Sequence, residues 1–388
     1  MLLLIKNAET FCPERRGRCD ILIGAGRILR MEEQIRIPRK YCEVIDARAL
    51  LAVPGFVDGH VHFAGAGGEG GYAMRTPELR LGDAILGGVT TVVGCLGTDG
   101  TTRTMAGLLA KARALDEQGI STFLFTGHYG VPPRTLTGGI EEDLVFIDKI
   151  IGVGEVAISD HRSAQPTFEE LTRITAQARR GGILSGKAGV VNVHVGDGSR
   201  GLTLIRRIWQ ETEIPAHQLL PTHINRNPTL FAEGIAYAKA GGLVDFTTST
   251  LPVYLEQGEV PCGQALRRML EAGVDPGHIT FSSDAQGSLP NFDAAGRVTS
   301  VDVGRVTSLF ARVREAVAGE QIPLETALRV VTSNPARILS LRQKGRLAPG
   351  LDADLVLLDP DDLGIHTVIA KGSLLMKAHR PLVAGAFE

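Results

Sequence analysis

Val53-Pro54-Gly55-Phe56-Val57-Asp58-Gly59-His60-Val61-His62 is a short apolar run that ends in two histidines separated by one valine. Side chains alternate along a strand, so His60 and His62 point one way and Val61 the other, and one metal ion can be reached by both imidazoles. Downstream, apolar runs of similar length recur at Thr91 to Leu96, Thr122 to Thr126, Val156 to Ser159, Val190 to Val195, Leu219 to Ile224, Leu243 to Thr248 and Ile279 to Ser283. The segments between them, such as Met105 to Leu115 and Leu202 to Trp209, carry apolar residues at helical spacing. Eight βα units over roughly 250 residues are the content of a TIM barrel, whereas an open doubly wound sheet usually has fewer strands. An α/β fold with a (β/α)8 barrel over residues 51–341 is predicted, closed by a helix from Leu324 to Leu341.

The chain ends have a different texture. Leu2 to Lys6, Asp20 to Ile23, Arg27 to Met31 and Cys42 to Ile45 read as strands, as do Asp354 to Asp359, Thr367 to Ala370 and Ser373 to Met376. Neither group can bury a core alone, so residues 1–50 and 342–388 are expected to pair into one small β-sandwich beside the barrel. With 41 Lys and Arg against 43 Asp and Glu, the net charge of −2 gives no electrostatic footprint for nucleic acid or an anionic membrane. The run Leu2 to Ile5, closed by Lys6, is too short for a signal-peptide core or a membrane span. Five widely spaced cysteines without a Cys-x-x-Cys pair suggest neither a disulfide framework nor a thiolate zinc site, and they read as buried fillers. A cytoplasmic protein with a small-molecule partner is expected.

Barrel enzymes keep their chemistry at the C-terminal ends of the strands. Besides His60 and His62, the runs present Glu155 at the start of the fourth, His194 in the fifth, His223 in the sixth and Asp284 after the eighth. Imidazole and carboxylate without thiolate suit Zn²⁺ or a similar divalent ion, and six ligands exceed the needs of one tetrahedral zinc. Two ions sharing a bridging carboxylate and a bridging hydroxide account for the surplus. The glycine-rich stretch Gly65 to Gly71 lacks the Gly-Lys-Ser/Thr of a phosphate loop and carries Glu69, which would repel phosphate.

Pro54 to His62 and the late Gly350-Leu351-Asp352-Ala353-Asp354-Leu355-Val356 resemble the amidohydrolase superfamily, whose members pair a distorted barrel with a β-sandwich built from both chain ends. Gly67-Gly68-Glu69-Gly70, Gly97-Thr98-Asp99, Tyr129, Ser159-Asp160-His161-Arg162-Ser163, Pro221 to Asn227 and Ser282 to Ser288 are similar to the isoaspartyl dipeptidases within it. The resemblance implies His60, His62 and Asp284 on one metal and His194 and His223 on the other. It further implies Glu69 and Ser288 around the substrate ammonium, Gly67 and Thr98 near its α-carboxylate, Arg162 and Arg226 on the leaving residue's carboxylate, and Tyr129 on the scissile carbonyl. A homo-oligomer is also implied. His128 and His161 neighbour these positions and are candidates for supporting roles.

One position departs from that family. Its metals are bridged by a carbamylated lysine near the end of the fourth strand, where this chain has Glu155. Glu155 is therefore expected to bridge directly. The function expected is hydrolysis of β-aspartyl dipeptides by a metal-bridging hydroxide, with Asp284 as general base. The alternatives are a cyclic-amide or N-acyl-amino-acid hydrolase, dihydropyrimidinase-like or D-aminoacylase-like, and a non-catalytic scaffold on the same fold.

Overall fold

The structure, a computed structural model, describes residues 2–293 and 297–388. The chain opens with β1 (Leu2–Phe11), β2 (Arg15–Gly24), β3 (Arg27–Glu32), β4 (Cys42–Asp46) and β5 (Leu51–Pro54). It continues through β6 (Phe56–Val61), β7 (Val89–Gly94), β8 (Ser121–Thr126), β9 (Ile150–Ile158), β10 (Val190–Val195), β11 (Leu219–Thr222), β12 (Val244–Thr247) and β13 (Ile279–Ser282). A hairpin, β14 (Ser288–Phe292) and β15 (Val298–Val303), follows, and the chain finishes with β16 (Leu355–Leu358), β17 (Ile365–Ala370), β18 (Ser373–Lys377) and β19 (Arg380–Pro381).

Strands β6 to β11 form one ladder in chain order and β12 pairs with β13, every barrel pairing being parallel. The two gaps between the ladders are spanned by backbone bonds: Ile224 N donates to Asp245 O across one, and Asp284 N to His60 O and His62 N to Ala285 O across the other. This distorted barrel agrees with the fold expected. Its strands are Val- and Ile-rich and β9 and β10 are buried at every position, as parallel strands covered on both faces should be. The main apolar core joins barrel residues such as Val92, Val153 and Val193 to the inner faces of the surrounding helices.

Strands from both chain ends share one sheet, ordered β19-β18-β17-β16-β5-β1-β2-β3 with β4 against β1. It has its own apolar cluster, which includes Ile5, Ile21, Leu355 and Ile369. Among the described residues no helix is long and apolar enough to cross a membrane.

Three expectations need correction. The first run is two strands: Leu51–Pro54 pairs with β1 and β16, and only Phe56–Val61 enters the barrel. Gly55 marks the junction because a Cβ there would lie 2.3 Å from the Thr90 hydroxyl. The fourth strand begins at Ile150, so Glu155 lies well inside it; Gly152 and Gly154 interrupt the apolar texture that would have revealed its length. The closing helix is two helices, Leu324–Arg329 and Ser333–Ile338. Pro335 cannot donate to an α-helical ladder, and its ring would clash with the Val331 carbonyl in a continuous helix.

Candidate active site

The barrel brings four imidazoles around one carboxylate. His60 Nε2 and His62 Nε2 lie 3.3 and 3.1 Å from the Glu155 oxygens, His194 Nδ1 at 3.4 Å and His223 Nε2 at 3.9 Å. Asp284 Oδ1 stands 3.1 Å from His62 Nε2 and 3.6 Å from His60 Nε2. The histidines and Glu155 are buried, while Asp284 keeps 13% of its side chain exposed toward a cavity.

Two of the opposite ring nitrogens have firm partners of their own: His194 Nε2 meets Asp160 Oδ2 at 2.9 Å and His223 Nδ1 meets the Thr247 hydroxyl, whereas His62 Nδ1 has only the Cys95 sulfur, 3.7 Å away. Such contacts fix ring orientation and tautomer in metal-binding histidines. His194 then donates from Nε2 to Asp160, leaving the lone pair of Nδ1, which lies 2.7 Å from the Tyr129 hydroxyl, free for a metal ion.

The donor set fits divalent metal ions. Both nitrogens of His60, Glu155 Oε2 and Asp284 Oδ1 are buried atoms without a hydrogen-bond partner. Buried polar atoms are rarely left so, and their convergence marks a place for a cation. Donor atoms of Glu155, His194 and His223 lie within 4.8 Å of one another, as do those of His60, His62, Cys95 and Glu155. The electrostatics agree. Burial would raise the Glu155 carboxyl, but the His60 charge and the close imidazoles of His194, His223 and His60 hold it well below the usual range. Burial opposes charge on His60 and His62, yet Cys95 and Glu155 draw both far upward. The cluster demands positive charge, which bound metals would supply in place of protons.

A cavity of about 820 Å³ opens from Asp284 and the histidines. Glu69, Thr98, Tyr129, Arg162, Arg226 and Ser288 line it together, whereas Gly67 sits outside the lining and pairs by backbone with Arg75. Glu69 Oε1 accepts from Thr98 Oγ1 (3.0 Å), Ser288 Oγ (2.9 Å) and Arg162 (3.3 Å); its Oε2 is buried and unpartnered. Arg162 is anchored by two bonds to Asp160, at 3.0 and 2.7 Å. Arg226 is freer, with Nε lacking an acceptor and Asp197 3.6 Å away. His161 lines the cavity beside Phe292, and His128 packs against Gly100 and Gly130 outside it.

Residues 261–376 match the model of the amidohydrolase family. The chain is similar, with 46% identity over 99% of both chains and a TM-score of 0.92, to the crystal structure of β-aspartyl dipeptidase from the thermophilic keratin-degrading Fervidobacterium islandicum AW-1 in complex with β-Asp-Leu dipeptide. A second structure of β-aspartyl dipeptidase from that organism gives 44% identity over 99% of both chains and a TM-score of 0.90. The chain belongs to the β-aspartyl dipeptidases of the amidohydrolase family. An allantoinase from Deinococcus radiodurans is more distant, 25% identical over 92% of this chain and 86% of its own.

Two features of this β-aspartyl dipeptidase relative escaped the sequence reading. Cys95, read there as a filler, stands against His62, and its neighbourhood could be inferred only from its place one residue beyond β7. The hairpin β14–β15, whose residues Ser288 to Phe292 line the cavity, follows immediately on the Asp284 segment. Opposite Val191 and Val193, β9 places Val153 and Val156, spending three residues where β10 spends two. The bulge falls on Gly154 and Glu155. A Cβ on Gly154 would lie 2.9 Å from Asn192 Cβ and 3.0 Å from Asn192 O. Gly154→Ala is therefore expected to destabilise the fold by about 1–3 kcal/mol and to lower retained metal, measured by thermal unfolding and metal analysis; unchanged metal content would show that the bulge does not aim Glu155.

Proposed function

We propose that the chain is a binuclear metal-dependent isoaspartyl dipeptidase, with His60, His62 and Asp284 on one divalent ion, His194 and His223 on the other, and Glu155 between them. The observation that carries the substrate class is the pairing, in one cavity, of the unpartnered Glu69 Oε2 with the unengaged Arg226 Nε. A β-aspartyl dipeptide has one ammonium and two carboxylates, so its pocket needs an acid for the first and donors or guanidinium for the others. The β-Asp-Leu bound in the Fervidobacterium relative supports this choice.

Divalent ions at such a site acidify water and polarise a carbonyl. Asp284 accepts the proton of the attacking water and returns it to the leaving amine nitrogen as the β-amide bond breaks. Burial, reinforced by the Glu155 charge, pushes the Tyr129 hydroxyl far above its usual range, so it keeps its proton and donates to the carbonyl oxygen on which negative charge builds. Glu69 holds the ammonium through Oε2 while Thr98 and Ser288 fix its other oxygen.

Arg226→Met is expected to cost about 2–4 kcal/mol in kcat/KM, the range for leaving one member of a charged pair unmatched. Amidating the dipeptide's terminal carboxylate should reproduce the loss. Arg162→Met should cost at least as much, because it also strips Asp160, and through it His194, of a partner. Equal turnover of amidated and free dipeptides would favour a cyclic-amide or acylamino-acid hydrolase.

The test of the whole reading is metal analysis joined to an assay of β-Asp-Leu against α-Asp-Leu. Two equivalents of divalent metal per chain, turnover of the β-isomer alone and its loss on chelation are expected. Full activity with one metal would overturn the binuclear assignment, and comparable cleavage of α-Asp-Leu would overturn the substrate.

A further inference from the structure

Cys95 is a buried free thiol directly after β7. Its amide donates to the Val61 carbonyl at 3.1 Å, which ties it to the residue between His60 and His62. It shares an apolar cluster with Val93 and Phe125, but the sulfur meets polar atoms: His62 Nδ1 at 3.7 Å and the Val61 carbonyl at 3.9 Å. Both are long, weak contacts. One donor atom from each of His60, His62, Cys95 and Glu155 lies within 4.8 Å of the others, and neither nitrogen of His60 has a hydrogen-bond partner. A thiol used only as filler has no need of this company.

Resting on the binuclear reading above, we propose that Cys95 is a thiolate ligand of the metal held by His60 and His62. Its S–H proton is released to solvent as the sulfur–metal bond forms, with no change of oxidation state. Charge supports the assignment. Two divalent ions facing Glu155, Asp284 and a bridging hydroxide leave one positive charge uncompensated in a buried site, and a thiolate removes it. The consequence is a softer site than carboxylate and imidazole alone would make, with a stronger preference for zinc, cobalt or cadmium over manganese or magnesium.

The test is optical. Apo-protein is loaded with Co²⁺ as wild type, Cys95→Ser and Cys95→Ala, and the near-ultraviolet and visible spectra are recorded beside metal stoichiometry against a competing chelator. The wild type should show a thiolate-to-cobalt charge-transfer band that both variants lose, although Cys12, Cys19, Cys42 and Cys262 remain. The visible cobalt bands should persist in the variants, with one of the two ions held at least about tenfold more weakly. Visible bands without a charge-transfer band in the wild type would overturn the ligand assignment alone, as would a charge-transfer band that survives in both variants. Failure of the wild type to take up cobalt at all would overturn the binuclear reading together with it.

Discussion

Asp284→Asn should leave metal content near that of the wild type and lower turnover of β-Asp-Leu by about 10²- to 10⁴-fold or more. Burial would raise the Asp284 carboxyl, but the close His62 imidazole and the charges of His60 and His62 outweigh it and hold it down at about 2. It is thus ionised when water arrives and able to accept a proton. Its Oδ1 is buried without a hydrogen-bond partner, while its amide is fixed on the His60 carbonyl at 3.1 Å. Asparagine keeps the size and a ligand oxygen but cannot take the proton. The backbone also tolerates the exchange: Asp284 sits at φ 52°, and Asn enters the left-handed region as readily as Asp. The variant should therefore fold and bind, with the loss concentrated in kcat. Near-normal turnover with both metals bound would place proton transfer on another group.

The barrel was legible because its strands are buried on both faces, which leaves valine-rich runs such as Val190 to Val195, broken only by Asn192 and His194. The convergence of the four imidazoles was legible because each follows or ends such a run, and His-x-His on a strand admits one geometry. What stayed hidden was set by partners distant in sequence. Leu51–Pro54 looks like the start of the first barrel strand and is claimed instead by β16, some three hundred residues later. Nothing local distinguishes Cys95 from the other buried cysteines until Val61 is placed beside it. The two arginines proposed to hold the substrate carboxylate looked equivalent in sequence, Arg162 after one strand and Arg226 after another. Only the fold shows that Asp160 and Glu69 already occupy Arg162 while Arg226 Nε stands without an acceptor.

Glu155→Gln should cost the site its second metal and lower turnover by about 10² or more, because a neutral amide cannot hold two like-charged ions together and leaves their repulsion uncompensated. The proposal that Glu155 bridges without carbamylation rests on reach. Glu has two methylenes before its carboxylate, whereas a lysine carbamate lies beyond a four-carbon stem and a nitrogen, so the backbone must come closer. The extra residue that β9 spends at Gly154–Glu155 fits that need, and the carboxylate lies 3.1 to 3.9 Å from nitrogens of all four histidines. No neighbouring lysine can substitute: Lys149 is bonded to Thr122, and Lys187 to the carbonyls of Leu144 and Ile147. Since no CO₂ adduct is needed, reconstitution of apo-protein with divalent metal should proceed equally with and without bicarbonate. Glu155→Lys should not recover activity even in bicarbonate, because the carbamate would overshoot the shortened gap. A bicarbonate requirement in the wild type, or a metal-loaded crystal structure with Glu155 more than about 3 Å from both ions against the ~2.0–2.2 Å of a carboxylate ligand, would refute the assignment.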